Sequence, residues 1–274
     1  MVLNSLYNFA NNFKTRARRM PVLFIGHGHP INAVLDNDFT RMLKKVGNEI
    51  EKPEAILVIS AHWETVGTYI STNPAPRTIY DFGRFDDRLY QINYDAPGSP
   101  ALAANIMETI KLANVMGDQN MGLDHGAWTV LKFLRPEADV PVLEMSLDYG
   151  KGATYHYELG KQLSFLRQKG VLVVCSGNIV HNLGRTDWRN IDAMPYDWNL
   201  EFDHLVRSAL DDQAFDGLIN YSSLGEAARL SVPTNEHYLP MVYSLGMVGK
   251  NEHITQLYGG YQFGSMSMRC FRIG

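Results

Sequence analysis

Four short apolar runs punctuate the chain, at 21–26 (PVLFIG), 55–60 (AILVIS), 140–147 (VPVLEMSL) and 171–177 (VLVVCSG). Each is rich in β-branched residues and shows little polar alternation, the pattern of strands covered on both faces. Helical spacing fills the intervals. In "SPALAANIMETIKLANV", Ser99 stands at an N-cap position and Pro100 at the first helical position. In the stretch ending at Gly170, Thr154 is a candidate N-cap and Gly170 a candidate C-cap. Further helical patterns cover 198–211 and 236–248, and "SMSMRCFRI" at 265–273 predicts a last strand. This alternation predicts an α/β fold: a single domain with a central, mostly parallel, mixed sheet flanked by helices. In such sheets the active site lies at the carboxyl ends of the strands.

No internal repeat or linker divides the chain. The stretch 73–100, rich in Pro, Gly and Asp, reads as an ordered loop. The first twenty residues carry Lys14, Arg16, Arg18 and Arg19 and no acidic residue, so 1–20 reads as a basic N-terminal arm and 21–274 as the catalytic domain. Net charge of -4 argues against a nucleic-acid partner, which a basic face would serve. No segment reaches the roughly eighteen consecutive apolar residues that span a bilayer, so no membrane partner is expected. Two cysteines, Cys175 and Cys270, are too few for a disulfide framework, which points to a reducing compartment and the cytoplasm. A small-molecule partner is expected, with the protein a monomer or small homo-oligomer.

The histidines carry the chemistry. His27 (IGHGHP), His62 (VISAHW) and His181 (SGNIVHN) follow three of the predicted strands, and His237 sits in the unusual polar setting TNEHYLP. A parallel sheet would gather the first three at one rim. Neutral imidazoles in a cluster suit a first-row divalent metal, and three protein ligands leave an open, catalytic position. Singly, each is more often a hydrogen-bonded loop histidine; it is their shared position at strand ends that favours a metal site. His125 (GLDHGAW) is a fifth candidate, with Asp124 able either to orient it or to cap a helix starting near Ala127, and Trp128 able to wall a pocket. His156, His204 and His253 read as helix-face or surface residues. The charged loop with Asp81, Asp86, Asp87 and Arg88 reads as solvated. No dinucleotide fingerprint, phosphate loop or nucleophile elbow is present.

The ordered motifs GHG-P at 26–30, SAHW at 60–63, YDFGRFDDRLY at 80–90, Y-APGSP at 94–100, DHGAW at 124–128, SGNIVHNL at 176–183 and EHYLP at 236–240 resemble those of the DOPA-type extradiol ring-opening dioxygenases. These belong to the class III extradiol superfamily, with the B subunit of protocatechuate dioxygenase. The resemblance implies one divalent metal ion per chain held by His27, His62 and His237, with His181 either a fourth ligand or the acid/base residue. It implies a catalytic role for His125 near substrate and O2, and places Trp63, Asp124, Trp128 and Asn178 at the substrate. It further implies a catechol and O2 as partners, opened to a muconate semialdehyde. In the protocatechuate branch the third ligand is a carboxylate, where this chain has His237 preceded by Glu236. Zinc is expected in the protein as isolated and Fe(II) for oxygenase activity. A zinc hydrolase on the same histidines and a non-catalytic binding module are the rival readings. His29 has no ligand role by resemblance and is expected to cap the turn that follows it.

Replacing His27 with Ala should therefore abolish metal retention, while His29→Ser should leave it nearly intact. Metal analysis of the two purified variants checks this, and equal loss in both would refute the division of roles.

Overall fold

The computed structural model describes residues 15–274. In chain order the elements begin with β1 (Val22–Gly26), α1 (Asp38–Glu49), β2 (Ala55–Thr65), β3 (Tyr69–Ser71), α2 (Pro100–Thr109) and β4 (Met116–Asp118). There follow α3 (His125–Leu134), β5 (Val142–Asp148), α4 (Ala153–Leu163), β6 (Val171–Gly177) and α5 (Asp197–Asp211). The chain ends with α6 (Phe215–Ile219), α7 (Glu226–Ser231), α8 (Leu239–Gly246), β7 (Ile254–Tyr258), β8 (Tyr261–Gln262), β9 (Met266–Ser267) and β10 (Cys270–Ile273).

Eight of these strands form one sheet in the order β4-β3-β5-β2-β6-β1-β10-β7. Its centre is parallel: β2 pairs with β5 and β6, and β6 with β1. Antiparallel pairing appears toward the margins, where β3 meets β5 and β10 lies between β1 and β7. The sheet is thus mixed and mostly parallel at its core, as the apolar runs predict. Both faces are covered, and the period of two sorts the side chains. Val22, Phe24, Val171, Val173 and Cys175 pack toward α2, α4, α5 and α8. Their neighbours Leu23, Ile25, Leu172 and Val174 pack toward α1 and α3. That double burial is why the strands read as unbroken apolar runs.

Local chemistry sets most element ends, with departures from expectation that have visible causes. Ser99 Oγ accepts the Leu102 N–H at 3.4 Å and caps α2. The helix stops at Thr109 instead of continuing to Val115, because the N–H groups of Lys111 and Leu112 donate to Gln162 Oε1, at 2.8 and 3.1 Å. Thr154 is not a cap: α4 starts at Ala153, after Gly152. Gly170 does end that segment in the left-handed conformation, at φ 77°. The last run is split into β9 and β10, since Arg269 between them is buried against Asp203 of α5, donating from Nε to Oδ1 at 2.9 Å. β2 runs past residue 60 to Thr65, with its register shifted between Ile59 and Glu64, so His62 lies in an irregular part of the strand. Lys14 and the residues before it, part of the expected basic arm, lie outside the described residues. Arg16 pairs with Glu54 at 2.7 Å, just ahead of β2 and so at the end of the sheet away from the histidines.

α4 and α8 approach each other through glycines. A Cβ on Gly160 would stand 2.2 Å from Tyr243 O, and one on Gly246 would stand 2.1 Å from Tyr157 O. Gly246→Ala must push the two helices apart, and we expect it to cost about 1–3 kcal/mol in urea unfolding. An unchanged unfolding midpoint would mean that this contact is not close-packed.

Candidate active site

The carboxyl end of the sheet turns sharply after each central strand. Behind β1 the chain passes through Gly28, left-handed at φ 61°, whose N–H donates to Asn178 Oδ1 at 3.1 Å. Asn178, the first residue past β6, also donates from its backbone N–H to His237 O at 2.8 Å and from Nδ2 to Ser267 O at 2.7 Å. Gly177 makes room for this, since a Cβ there would meet His237 O at 2.2 Å. One residue thus ties the His27 turn, the His237 turn and the β9 segment together.

Five imidazoles meet in the space these turns enclose. His27 Nε2 and His62 Nε2 are 3.1 Å apart, and the ring of His62 packs on that of His125 at 3.7 Å between centroids. His181 stacks on His237, with ring centroids 3.5 Å apart and planes 10° from parallel. One nitrogen each of His27, His62 and His237 lies within 4.8 Å of the other two.

The neighbours fix the tautomers. Ser176 Oγ donates to Gly126 O at 2.6 Å, so toward His27 Nδ1, at 2.9 Å, it can only accept. His27 therefore carries its hydrogen on Nδ1 and turns a bare Nε2 toward His62. Glu236 Oε1 accepts from His237 Nδ1 at 3.1 Å, which likewise leaves Nε2 bare. Asp81 holds His125 twice, accepting its backbone N–H at 2.9 Å and lying 3.0 Å from Nδ1. A set of neutral imidazoles oriented from behind fits a first-row divalent ion such as Zn(II) or Fe(II), and not the oxygen cages of Mg(II) or Ca(II).

Burial pushes His27, His62 and His237 well below the ordinary imidazole pKa, with the neighbouring imidazoles adding to the shift. His181 falls to about 4, through burial first and His125 second. Burial works against Asp81 as a carboxylate, yet its contacts with His125 outweigh this and lower its pKa.

The imidazoles floor a cavity of about 620 Å³ whose wall is apolar, built from Phe82, Phe85, Leu183, Trp188, Phe263 and Met266. Four residues expected at the substrate lie behind this lining instead. Asp124 caps α3, accepting from Ala127 N at 3.0 Å and from Ser60 Oγ at 2.7 Å. Trp128 is fully buried and donates from Nε1 to Ile79 O at 2.9 Å, backing Phe82 in a second layer. Asn178 is the tie described above, and Trp63 is buried outside the lining. Asp81, not Asp124, stands beside the His125 ring, and it lines the cavity while the residue stays exposed, as the loop reading expects. His29 does cap its turn, accepting the Ile31 N–H at 3.2 Å, and its ring also lines the cavity. Asp81, Ser176 and the aromatic wall escaped the sequence. The sole local signal was an Asp set among aromatics in "IYDFGRF".

Residues 21–270 match the family described as the catalytic LigB subunit of aromatic ring-opening dioxygenase. The chain belongs to this family. Among its relatives, a protein named 4,5-DOPA dioxygenase extradiol from Escherichia coli (strain K12) is 44% identical over 260 residues, covering 93% of this chain and 95% of its own length. A protein of the same name from Beta vulgaris is 35% identical over 255 residues, covering 91% and 94%. The crystal structure of an uncharacterized protein from Escherichia coli K12 superposes with a TM-score of 0.82 at 41% identity, over 93% of this chain and all of that one. The resemblance read from the motifs is thereby borne out at the level of family and fold, and the protein is a ring-opening dioxygenase, an oxidoreductase that depends on a metal.

The lowered imidazole pKa values have a consequence for this dioxygenase. A buried neutral histidine binds its proton later than the unfolded chain does, so stability is full above about pH 6.5 and falls as pH drops toward 4. Metal-free protein should lose several kcal/mol between those limits, measured as the urea midpoint at pH 7 and at pH 5. A midpoint that stays constant would show that the cluster binds protons equally in the folded and unfolded chain.

Proposed function

We propose that this dioxygenase opens a DOPA-like catechol beside its diol, inserting both atoms of O2 to give a muconate semialdehyde. The observation that carries this reading is the His27–His62–His237 group, three neutral nitrogens within reach of one ion at the closed end of an aromatic cavity. We assign those three as ligands. When bound there, Fe(II) supplies the one-electron link between catechol and O2 that d10 Zn(II) lacks. Zinc should nevertheless occupy the protein as isolated, because nitrogen sites hold it more tightly than Fe(II).

The remaining work belongs to the chain's own groups. His181 is the acid/base residue: it stands outside the ligand group, stacked on His237, and burial keeps it neutral and able to accept a catechol proton. His125 holds the next proton position. Asp81 accepts the His125 backbone N–H and stands 3.0 Å from Nδ1, which holds the imidazole at the cavity beside the position where oxygen charge develops. Phe82 lies edge-on to His125 with ring centroids 5.4 Å apart and gives that position an apolar neighbour.

The two cysteines are buried and free, which fits a reducing compartment, and we place the protein in the cytoplasm as a monomer or small homo-oligomer. No helix among the described residues is long and apolar enough to cross a membrane.

Metal-free protein loaded anaerobically with Fe(II) should consume O2 when given a catechol and develop the absorbance of a ring-opened semialdehyde. The zinc-loaded form should bind the catechol without consuming O2. Equal turnover with zinc would overturn the redox assignment, and turnover of an ester without O2 would favour a hydrolase.

A further inference from the structure

We propose that the cavity selects among catechols by the charge of the arm remote from the diol, favouring an ammonium-bearing or uncharged arm and discriminating against a carboxylate. The inference rests on the reading of the cavity as a catechol site. With the diol at the imidazole floor, the arm extends into a mouth of five rings: His29, Phe82, Phe85, Trp188 and Phe263. These rings touch in sequence. Phe85 lies 4.3 Å from His29 and 5.4 Å from Phe82, and Phe263 lies 5.4 Å from His29 and 5.5 Å from Trp188, between centroids. A cation is attracted over the faces of such rings, whereas a wall of this kind brings no positive charge to an anion.

The charges nearby agree. Among the described residues no Lys or Arg lines the cavity, and its one carboxylate is Asp81. Arg84 and Arg88, on the loop that supplies Phe82 and Phe85, are held by Asp87 and Asp86 at 2.9 and 2.7 Å. Arg185 and Arg189 flank Trp188 in sequence but are exposed and outside the lining. His29 uses Nδ1 to accept the Ile31 N–H, so that nitrogen is taken up by its own turn and not by the arm. A carboxylate entering this mouth gives up water with no cation to replace it. An ammonium exchanges water for ring faces.

Four probes with the same diol separate the charges: dopamine, DOPA methyl ester, DOPA and 3-(3,4-dihydroxyphenyl)propionate. Zinc-loaded protein gives dissociation constants by calorimetry without turnover, and iron-loaded protein gives kcat/KM. Dopamine and the ester should bind about tenfold tighter than the propionate, with DOPA between, and kcat/KM should follow the same order. Phe85 and Trp188 are 44% and 54% exposed, so truncating them spares the core. The double variant Phe85→Ala, Trp188→Ala should shrink the preference to less than about threefold. Propionate binding as tightly as dopamine would overturn the proposal, as would a preference for carboxylate that disappears in Arg189→Ala. Turnover of all four probes without a charge order would overturn this inference alone. If none binds or reacts, the catechol reading falls with it.

Discussion

Two ring nitrogens, on buried His27 and half-buried His62, face each other 3.1 Å apart at the floor of the cavity. Left with lone pair against lone pair they would repel, and protonating both would bury two like charges side by side. A hydrogen on His62 Nε2 donated to the bare His27 Nε2, or a metal ion held between the two, relieves that repulsion. Much of the surrounding structure serves that condition. Ser176 and Glu236 decide which nitrogen of His27 and of His237 carries hydrogen, and Asp81 holds the backbone N–H of His125. Gly126 lets the first turn of α3 sit against β2, where a Cβ would stand 2.5 Å from Ser60 Oγ. The result is a centre whose basicity is set before any ligand arrives, so binding a metal needs little reorganisation.

The sheet supplies the rigidity that such a centre needs. Its middle strands are parallel and buried on both faces, so their carboxyl ends are placed by packing from two sides at once. His27 and His181 stand on the chain just beyond β1 and β6, His62 in the irregular end of β2, His125 at the first residue of α3 and His237 on the turn that leads into α8. The aromatic mouth comes from loops, and it is there, away from the fixed floor, that relatives with the same imidazoles are free to diverge in what they admit.

Much of this was legible in the chain because its causes are local or periodic. Runs such as VLVVCSG announce doubly covered strands, and Ser99-Pro100 announces a helix start. Histidines just past three strands announce a shared rim, because parallel strands put their ends together. What stayed hidden depends on contacts far apart in sequence. Ser176 meets His27 across 149 residues, and nothing beside it hints at that role. Asp81 sits among other acidic residues on a loop, so its turn inward toward His125 follows from the loop's packing and not from its composition. Trp63, Trp128 and Asn178 belong to the same motifs as the site residues, yet proximity in a motif did not tell lining from backing. Trp128 faces the core, and Asn178 holds backbone.

The last strand lies beside the first. β10 fills the place between β1 and β7, and Gly26 donates its N–H to Arg269 O at 3.0 Å. One edge of β1, and the turn that presents His27, are therefore held by a strand that follows every imidazole of the centre in sequence. Covering that edge closes a loop that contains nearly the whole domain, so the frame of the site rests on contacts of high sequence separation and is expected to order late in folding.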